Sequence, residues 1–284
     1  MQPISSHAEI SVRAAAPSSP DPSVAAAPAI RFHRVSKQFA RTDGTRFDVL
    51  RDVSFDLPRG EIVAILGPSG SGKTTLLNMA AGLLVPDRGE IVIMGERLGG
   101  SVDWSRVGYM FQDDRLLPWR TAIDNVALAL EAGSVRMAER RRRARDTLDL
   151  VGLADFSAAY PHQLSGGMRS RVALARSLVG EPDVLLMDEP FSRLDAQTRA
   201  NLHGELLRIH ALRTASILFV THDVEEAVIL ADHVVILSAR PGEVRRTVDV
   251  QVPQPRLGSP EATALTASLR ASITEFGSQQ EALP

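Results

Sequence analysis

Cysteine is absent from this chain of 284 residues, which excludes disulfide scaffolds, thiolate metal sites and cysteine nucleophiles. Aromatic residues make up only 5%. No apolar run approaches the roughly 18 residues a membrane-spanning helix needs, and the longest, such as Ile62–Leu66, have strand length. Charge of one sign is lacking too: 32 Lys and Arg stand against 34 Asp and Glu. That near balance gives no electrostatic footprint for nucleic acid. Residues 1–29 are rich in Ala, Pro and Ser and hold no apolar stretch of signal-peptide length, so they read as a disordered extension.

What is present is ample for a full core, with 44% of residues hydrophobic. Strand-like segments at Val53–Leu57 and Ile62–Leu66 flank the turn Pro58-Arg59-Gly60, and a helix begins at Lys73. From about residue 113 to 165 the pattern becomes helical and charged, with segments at 122–131 and 137–151 and a stop at Gly152. Strands return at Val184–Met187, Ile217–Thr221 and Val234–Ser238, separated by helical stretches. This alternation predicts an α/β fold with a mainly parallel sheet and an inserted helical subdomain. After Pro241-Gly242 a hairpin leads into Val244–Val252. The tail, 253–284, carries a helix over 260–276: Ser259-Pro260-Glu261 starts it, Leu265, Leu269, Ile273 and Phe276 line one face, and Gly277 stops it. The folded body is expected over 30–252.

Gly67-Pro68-Ser69-Gly70-Ser71-Gly72-Lys73-Thr74 follows a strand and opens a helix, the context the G-x-x-x-x-G-K-[ST] phosphate loop requires. Its N–H groups, with Thr75 next in line, cradle phosphates. Lys73 reaches the β- and γ-phosphates, and Thr74 binds Mg²⁺. Asp188 emerges from the buried strand Val184–Met187 as a second Mg²⁺ ligand, and Glu189 is placed to polarise an attacking water. His222 leaves another strand at the same sheet edge, either as a γ-phosphate sensor or as an exposed structural histidine. Ser165-Gly166-Gly167 leads into a helix from Met168, a second anion-favouring helix start far from the first.

Taken together, the phosphate loop, Gln112, Leu164-Ser165-Gly166-Gly167, Asp188-Glu189, Ser192-Arg193-Leu194-Asp195 and His222 resemble the ATP-binding cassette (ABC) ATPases, from about Ile30 to Val250. The resemblance implies a P-loop NTPase core with a small antiparallel β region, and head-to-tail pairing with a second copy. In that pairing Ser165, Gly166 and Gly167 close over ATP held by the other chain. It further implies that Gln112 touches Mg²⁺ or water, that Asp195 contacts the opposite subunit, and that Phe39 stacks on adenine, with an ordinary core aromatic as the other reading. Met168 and Arg193 depart from the family's usual glutamine and alanine.

QDDRLLPW and HQLSGGMR are similar to the nitrate, sulfonate and taurine branch of bacterial importer ATPases. That resemblance implies ATP hydrolysis at the cytoplasmic face of the inner membrane, beneath an integral membrane permease served by a solute-binding protein, with no nucleic acid partner. Leu116, Leu117, Pro118 and Trp119 are expected either to form an apolar landing surface with an acidic rim or to fill the subdomain core. Arg140–Arg143 read as a solvated helix surface. A non-transport cassette and a purely regulatory one are the alternatives; Lys73, Asp188, Glu189 and His222 argue for turnover.

Overall fold

A computed structural model describes residues 27–281, with side chains described as far as residue 273. Of the extension expected over residues 1–29, residues 1–26 lie outside them, while Ala29 is buried and its N–H bonds the Leu57 carbonyl at 2.8 Å, so the ordered pairing begins just before Ile30. Two sheets organise the chain. The smaller is antiparallel, ordered β2-β1-β4-β5, and built from β1 (Ile30–Ala40), β2 (Arg46–Leu57), β4 (Arg88–Ile93) and β5 (Glu96–Arg97). The larger is ordered β10-β9-β3-β8-β7-β6 and comprises β3 (Ile62–Leu66), β6 (Val107–Met110), β7 (Val184–Asp188), β8 (Ser216–Val220), β9 (His233–Leu237) and β10 (Val244–Asp249). Only β10 runs antiparallel, as the hairpin partner of β9.

β3 and β8 are buried along their whole length, which is why they read as unbroken apolar runs. Their alternate residues serve two cores. Ile62, Ala64 and Leu66 face the cluster shared with the helical region, while Val63 and Ile65 face the antiparallel sheet. Because five strands are parallel, their carboxyl ends share one edge, where open α/β sheets bind ligands.

Helices α1 (Lys73–Ala80), α2 (Ala122–Ala127), α3 (Met137–Leu150), α4 (Gly166–Leu178), α5 (Ala196–Arg213), α6 (Val224–Leu230) and α7 (Pro260–Glu281) complete the body. Past Ala127 the expected helix tightens into a 3₁₀ turn over Leu128–Leu130. On α3, Ala144 and Leu148 are buried, and the arginine run is laced to acids: Arg142 and Arg143 bind Glu139, and Arg141 reaches Asp124. Ser259 accepts a hydrogen bond from the Ala262 N–H and caps α7, and Leu265, Leu269 and Ile273 pack into the core. This helix passes through Gly277 and ends at Glu281, not at 276: a glycine costs about 1 kcal/mol against alanine inside a helix but does not forbid it. The Phe276 side chain lies outside the described residues.

The segment 250–256 is fixed by Arg256, only 5% exposed, whose guanidinium donates to the carbonyls of Val228, Ala231, Val250 and Val252.

Candidate functional site

The carboxyl edge of the larger sheet gathers most of the expected residues. A cleft of about 540 Å³ is lined by Phe39, Ser69, Gly70, Gly72, Lys73, Thr74, Thr75, Glu189 and His222. Gly67 and Pro68 border an adjoining hollow beside His222. At the loop's end Gly72 takes φ 89°, and a Cβ there would meet Leu50 Cδ2 at 2.6 Å. Glycine is therefore needed both for the turn and for the fit against β2.

Lys73 is 6% exposed, and its Nζ donates to the carbonyls of Gly67 and Pro68 at 2.8 and 3.0 Å. Burial lowers its pKa, opposed by the Glu189 and Asp188 carboxylates. Ser71 Oγ is buried within the loop without a hydrogen-bond partner. Thr74 Oγ1 donates to Asp188 Oδ1 at 3.1 Å. Burial also raises the Asp188 carboxyl above its ordinary value, the Thr74 bond pulls it down, and Glu189 adds to the rise. A desolvated carboxylate beside a hydroxyl is a hard-oxygen donor set that fits Mg²⁺.

Glu189 follows with φ 43°, in the left-handed region that non-glycine residues seldom occupy. Its amide bonds the Val220 carbonyl at 3.0 Å, extending the β7–β8 pairing by one residue. The same carboxylate oxygen, Oε2, accepts from Gln112 Nε2 at 3.2 Å and lies 3.3 Å from His222 Nδ1. Gln112, Glu189 and His222 thus come from the ends of three neighbouring strands to one point, and His222 lines the cleft.

Ser165, Gly166, Gly167 and Asp195 line none of this cleft. The helix begins at Gly166, two residues before the expected Met168, because Ser165 is its N-cap and accepts from the Met168 N–H. A Cβ on Gly167 would sit 2.5 Å from Thr198 Cγ2, so this glycine also permits close packing of α4 on α5. Asp195 caps α5, accepting from the Thr198 amide at 3.0 Å and its hydroxyl at 2.7 Å.

The landing-surface expectation needs correction at two points. Leu116 is buried in the core, whereas Trp119 is 71% exposed. Asp113 and Asp114 are no free rim: Asp113 pairs with Arg193, and Asp114 with Arg169 at 3.0 Å. Arg176 donates to the carbonyls of Asp114 and Arg115, and buried Asn125 holds both polar groups of the Leu117 backbone. The segment after Gln112 is thereby tied to α4 and to the turn before Asp195.

Phe39 lines the cleft, is 37% exposed and is tilted against Phe47, ring centroids 6.5 Å apart, so it is not a core residue. Three lining residues escaped sequence reasoning, Phe47, Val49 and Arg240. None belongs to a linear motif, and only the topology of β2 and β9 brings them to the loop.

A family model described as ABC transporter matches residues 50–192. An aliphatic sulfonates import ATP-binding protein of Bacillus cereus is 40% identical over 233 residues, 82% of this chain and 90% of that protein. A taurine import ATP-binding protein of Rhizobium johnstonii is 41% identical over 239 residues, 84% and 90% of the two. Among solved structures, the ATP-binding cassette MJ0796, dimeric in a post-hydrolysis state bound to ADP and Pi, aligns with TM-score 0.69 and 31% identity, covering 79% of this chain and 100% of that one.

Proposed function

The chain belongs to the ATP-binding cassette family, and on that premise we propose that it drives uptake of sulfonate-class small anions, two copies closing on two ATP molecules beneath a separate permease. As a member of that family it is an ATPase that energises an importer. The observation that carries the chemistry is the meeting of Gln112, Glu189 and His222 at the mouth of the phosphate loop. The likeness to sulfonate and taurine import proteins supports the substrate class, and dimeric relatives support the pairing.

In this reading the loop amides and Lys73 hold the β- and γ-phosphates. Thr74 and Asp188 would hold Mg²⁺, with Gln112 at its edge, and the ion supplies charge neutralisation on the phosphates. Glu189 accepts a hydrogen bond from the attacking water and aims it in line with the γ-phosphorus. His222 steadies that carboxylate and faces the same phosphate. As the water oxygen bonds to phosphorus, the bond to the β–γ bridging oxygen breaks and ADP leaves. Ser165, Gly166 and Gly167 lie outside the cleft of their own chain, which supports their acting on the nucleotide of a second copy. Closure of the pair would move the segment after Gln112, with exposed Trp119 towards the permease on the cytoplasmic face of the membrane, while a solute-binding protein delivers the anion from outside. Among the described residues no helix is long and apolar enough to cross a membrane.

The test is growth of a strain lacking the gene on taurine or alkanesulfonates as sulfur source and on nitrate as nitrogen source, beside sulfate and ammonium controls, with labelled uptake measured alongside. Loss of sulfonate growth and uptake, restored by the wild-type gene but not by Glu189→Gln, is expected. Intact sulfonate uptake, or loss confined to nitrate, overturns the substrate class.

A further inference from the structure

Five parallel strands end at the nucleotide edge, and four of them deliver a group already discussed. β3 leads into the phosphate loop, β6 to Gln112, β7 to Asp188 and Glu189, and β8 to His222. The fifth, β9, pairs with β3 in parallel and runs into a tight turn at Ser238–Glu243. Ser238 Oγ holds that turn, donating to the Pro241 carbonyl at 2.8 Å and accepting from the Glu243 amide at 2.9 Å. Gly242 exchanges backbone bonds with β2, its N–H to the Val49 carbonyl and its carbonyl to the Arg51 N–H.

The turn is also pressed against the phosphate loop. A Cβ on Gly242 would lie 2.0 Å from the Ser71 carbonyl oxygen, and one on Gly67 would lie 3.1 Å from the carbonyl oxygen of Leu237. At its tip stands Arg240, an exposed side chain lining the cleft. The guanidinium carbon lies 4.8 Å from the Phe47 ring centroid, and a Cβ on Gly70 would be 3.5 Å from Nη2. The guanidinium therefore bridges the aromatic end of the cleft and the phosphate loop. Among the described residues it makes no hydrogen bond or ion pair. A planar cation stacked on a ring is held in orientation while its N–H edge stays free for an anion.

We propose that Arg240 is a nucleotide-binding residue, stacked on Phe47 and donating to the polyphosphate at its base-proximal end, as a second cation beside Lys73. The proposal rests on the nucleotide reading of this cleft. It accounts for a built turn, a close backbone approach and an unpaired guanidinium that the loop motif itself does not require. Lys73 supplies a point charge deep in the loop; Arg240 supplies a directional pair of donors at its rim.

The test is competition of ADP, AMP and adenosine against a fluorescent ADP on the full chain, for wild type, Arg240→Ala, Arg240→Lys and Lys73→Ala. Arg240 is exposed, so its variants are expected to fold, and unfolding temperatures check this. Expected is a weakening of ADP and AMP by about ten- to a hundredfold in Arg240→Ala, with adenosine unchanged. Arg240→Lys recovers part of the loss, and the salt dependence of ADP binding is shallower in Arg240→Ala. Unchanged ADP affinity in Arg240→Ala, while Lys73→Ala loses it, overturns the proposal alone. An equal loss for adenosine also overturns it, because the contact is then to base or ribose. If Lys73→Ala binds ADP like wild type, it is the nucleotide reading of the cleft that fails.

Discussion

Thr74 Oγ1 and Asp188 Oδ1 lie 3.1 Å apart although 114 positions separate them in the chain. Parallel strands with one strand between them set this distance, since β3 and β7 both flank β8. Replacing Asp188 by Asn keeps the size and a hydrogen bond but removes the charge a divalent cation needs. Turnover is expected to fall by at least about a hundredfold, while nucleotide binding in EDTA stays near wild type. Wild-type turnover should vanish in EDTA and return with Mg²⁺. A steady-state phosphate-release assay over a Mg²⁺ series reads both, and a Mg²⁺-saturable wild-type rate in Asp188→Asn would count against the assignment.

Glu189→Gln retains the contacts to Gln112 and His222 but is a far weaker acceptor for a water proton. A loss of about 10²–10⁴ in turnover follows from removing such a group, with ATP affinity preserved. Light scattering with ATP present should then find the variant as a dimer, because closure without hydrolysis does not reverse. Near-normal turnover refutes the role.

Gly167 has a packing task that can be separated from any phosphate contact. In Gly167→Ala the new methyl meets Thr198 Cγ2, and rotating Thr198 away breaks its 2.7 Å bond to Asp195. A destabilisation of about 1 kcal/mol is expected, largely relieved in the double variant with Thr198→Ser, where no methyl is present. Urea denaturation of the four proteins measures the coupling; strictly additive effects would sink the packing explanation.

Arg256→Met leaves four buried carbonyls without their donor. About 3 kcal/mol of stability should be lost, given the cost of orphaned buried acceptors, read as a lower urea midpoint. A change below about 1 kcal/mol would mean that water replaces the guanidinium.

His233 sits between Asp249, 2.7 Å from Nδ1, and Glu61, 2.6 Å from Nε2. Burial works against its charge, yet the hydrogen bonds to Asp249 and Glu61 outweigh it and raise the pKa above 6.5. A group whose folded pKa is raised stabilises fully below its unfolded value and loses that contribution as pH rises through the folded one. Wild type should therefore melt above His233→Gln below about pH 6.5, with the gap narrowing as the pH rises through the raised folded-state value. A gap independent of pH would show that the imidazolium is not the source.

Much of the site was legible because its signals are local. The phosphate loop, Asp188-Glu189 and the helix start after Ser165-Gly166-Gly167 each declare themselves within a few residues, since a turn, a strand end and a helix start are short-range events. Phe47 and Arg240 do not, because each is ordinary in its own segment and meaningful only once β2 and β9 flank the loop. The arginines holding Asp113 and Asp114 were hidden for the same reason. An acidic pair beside Leu-Leu-Pro-Trp looks like a rim until Arg193 and Arg169 are packed against it, and Leu116 looks available until the fold buries it in the core.

Helix α4 has a glycine pair at one end, and Arg176, which grips the Asp114 and Arg115 carbonyls, near the other. At 1.5 Å rise per residue the span from Arg176 to Gly166 is about 15 Å. A tilt of about 10° about the arginine grip swings the glycine end by about 2.5 Å, close to a hydrogen-bond length. If the glycine tip meets the nucleotide of a second copy, as proposed, a displacement of the segment after Gln112 too small to open any contact there is enough, at the far tip, to make or miss a phosphate oxygen.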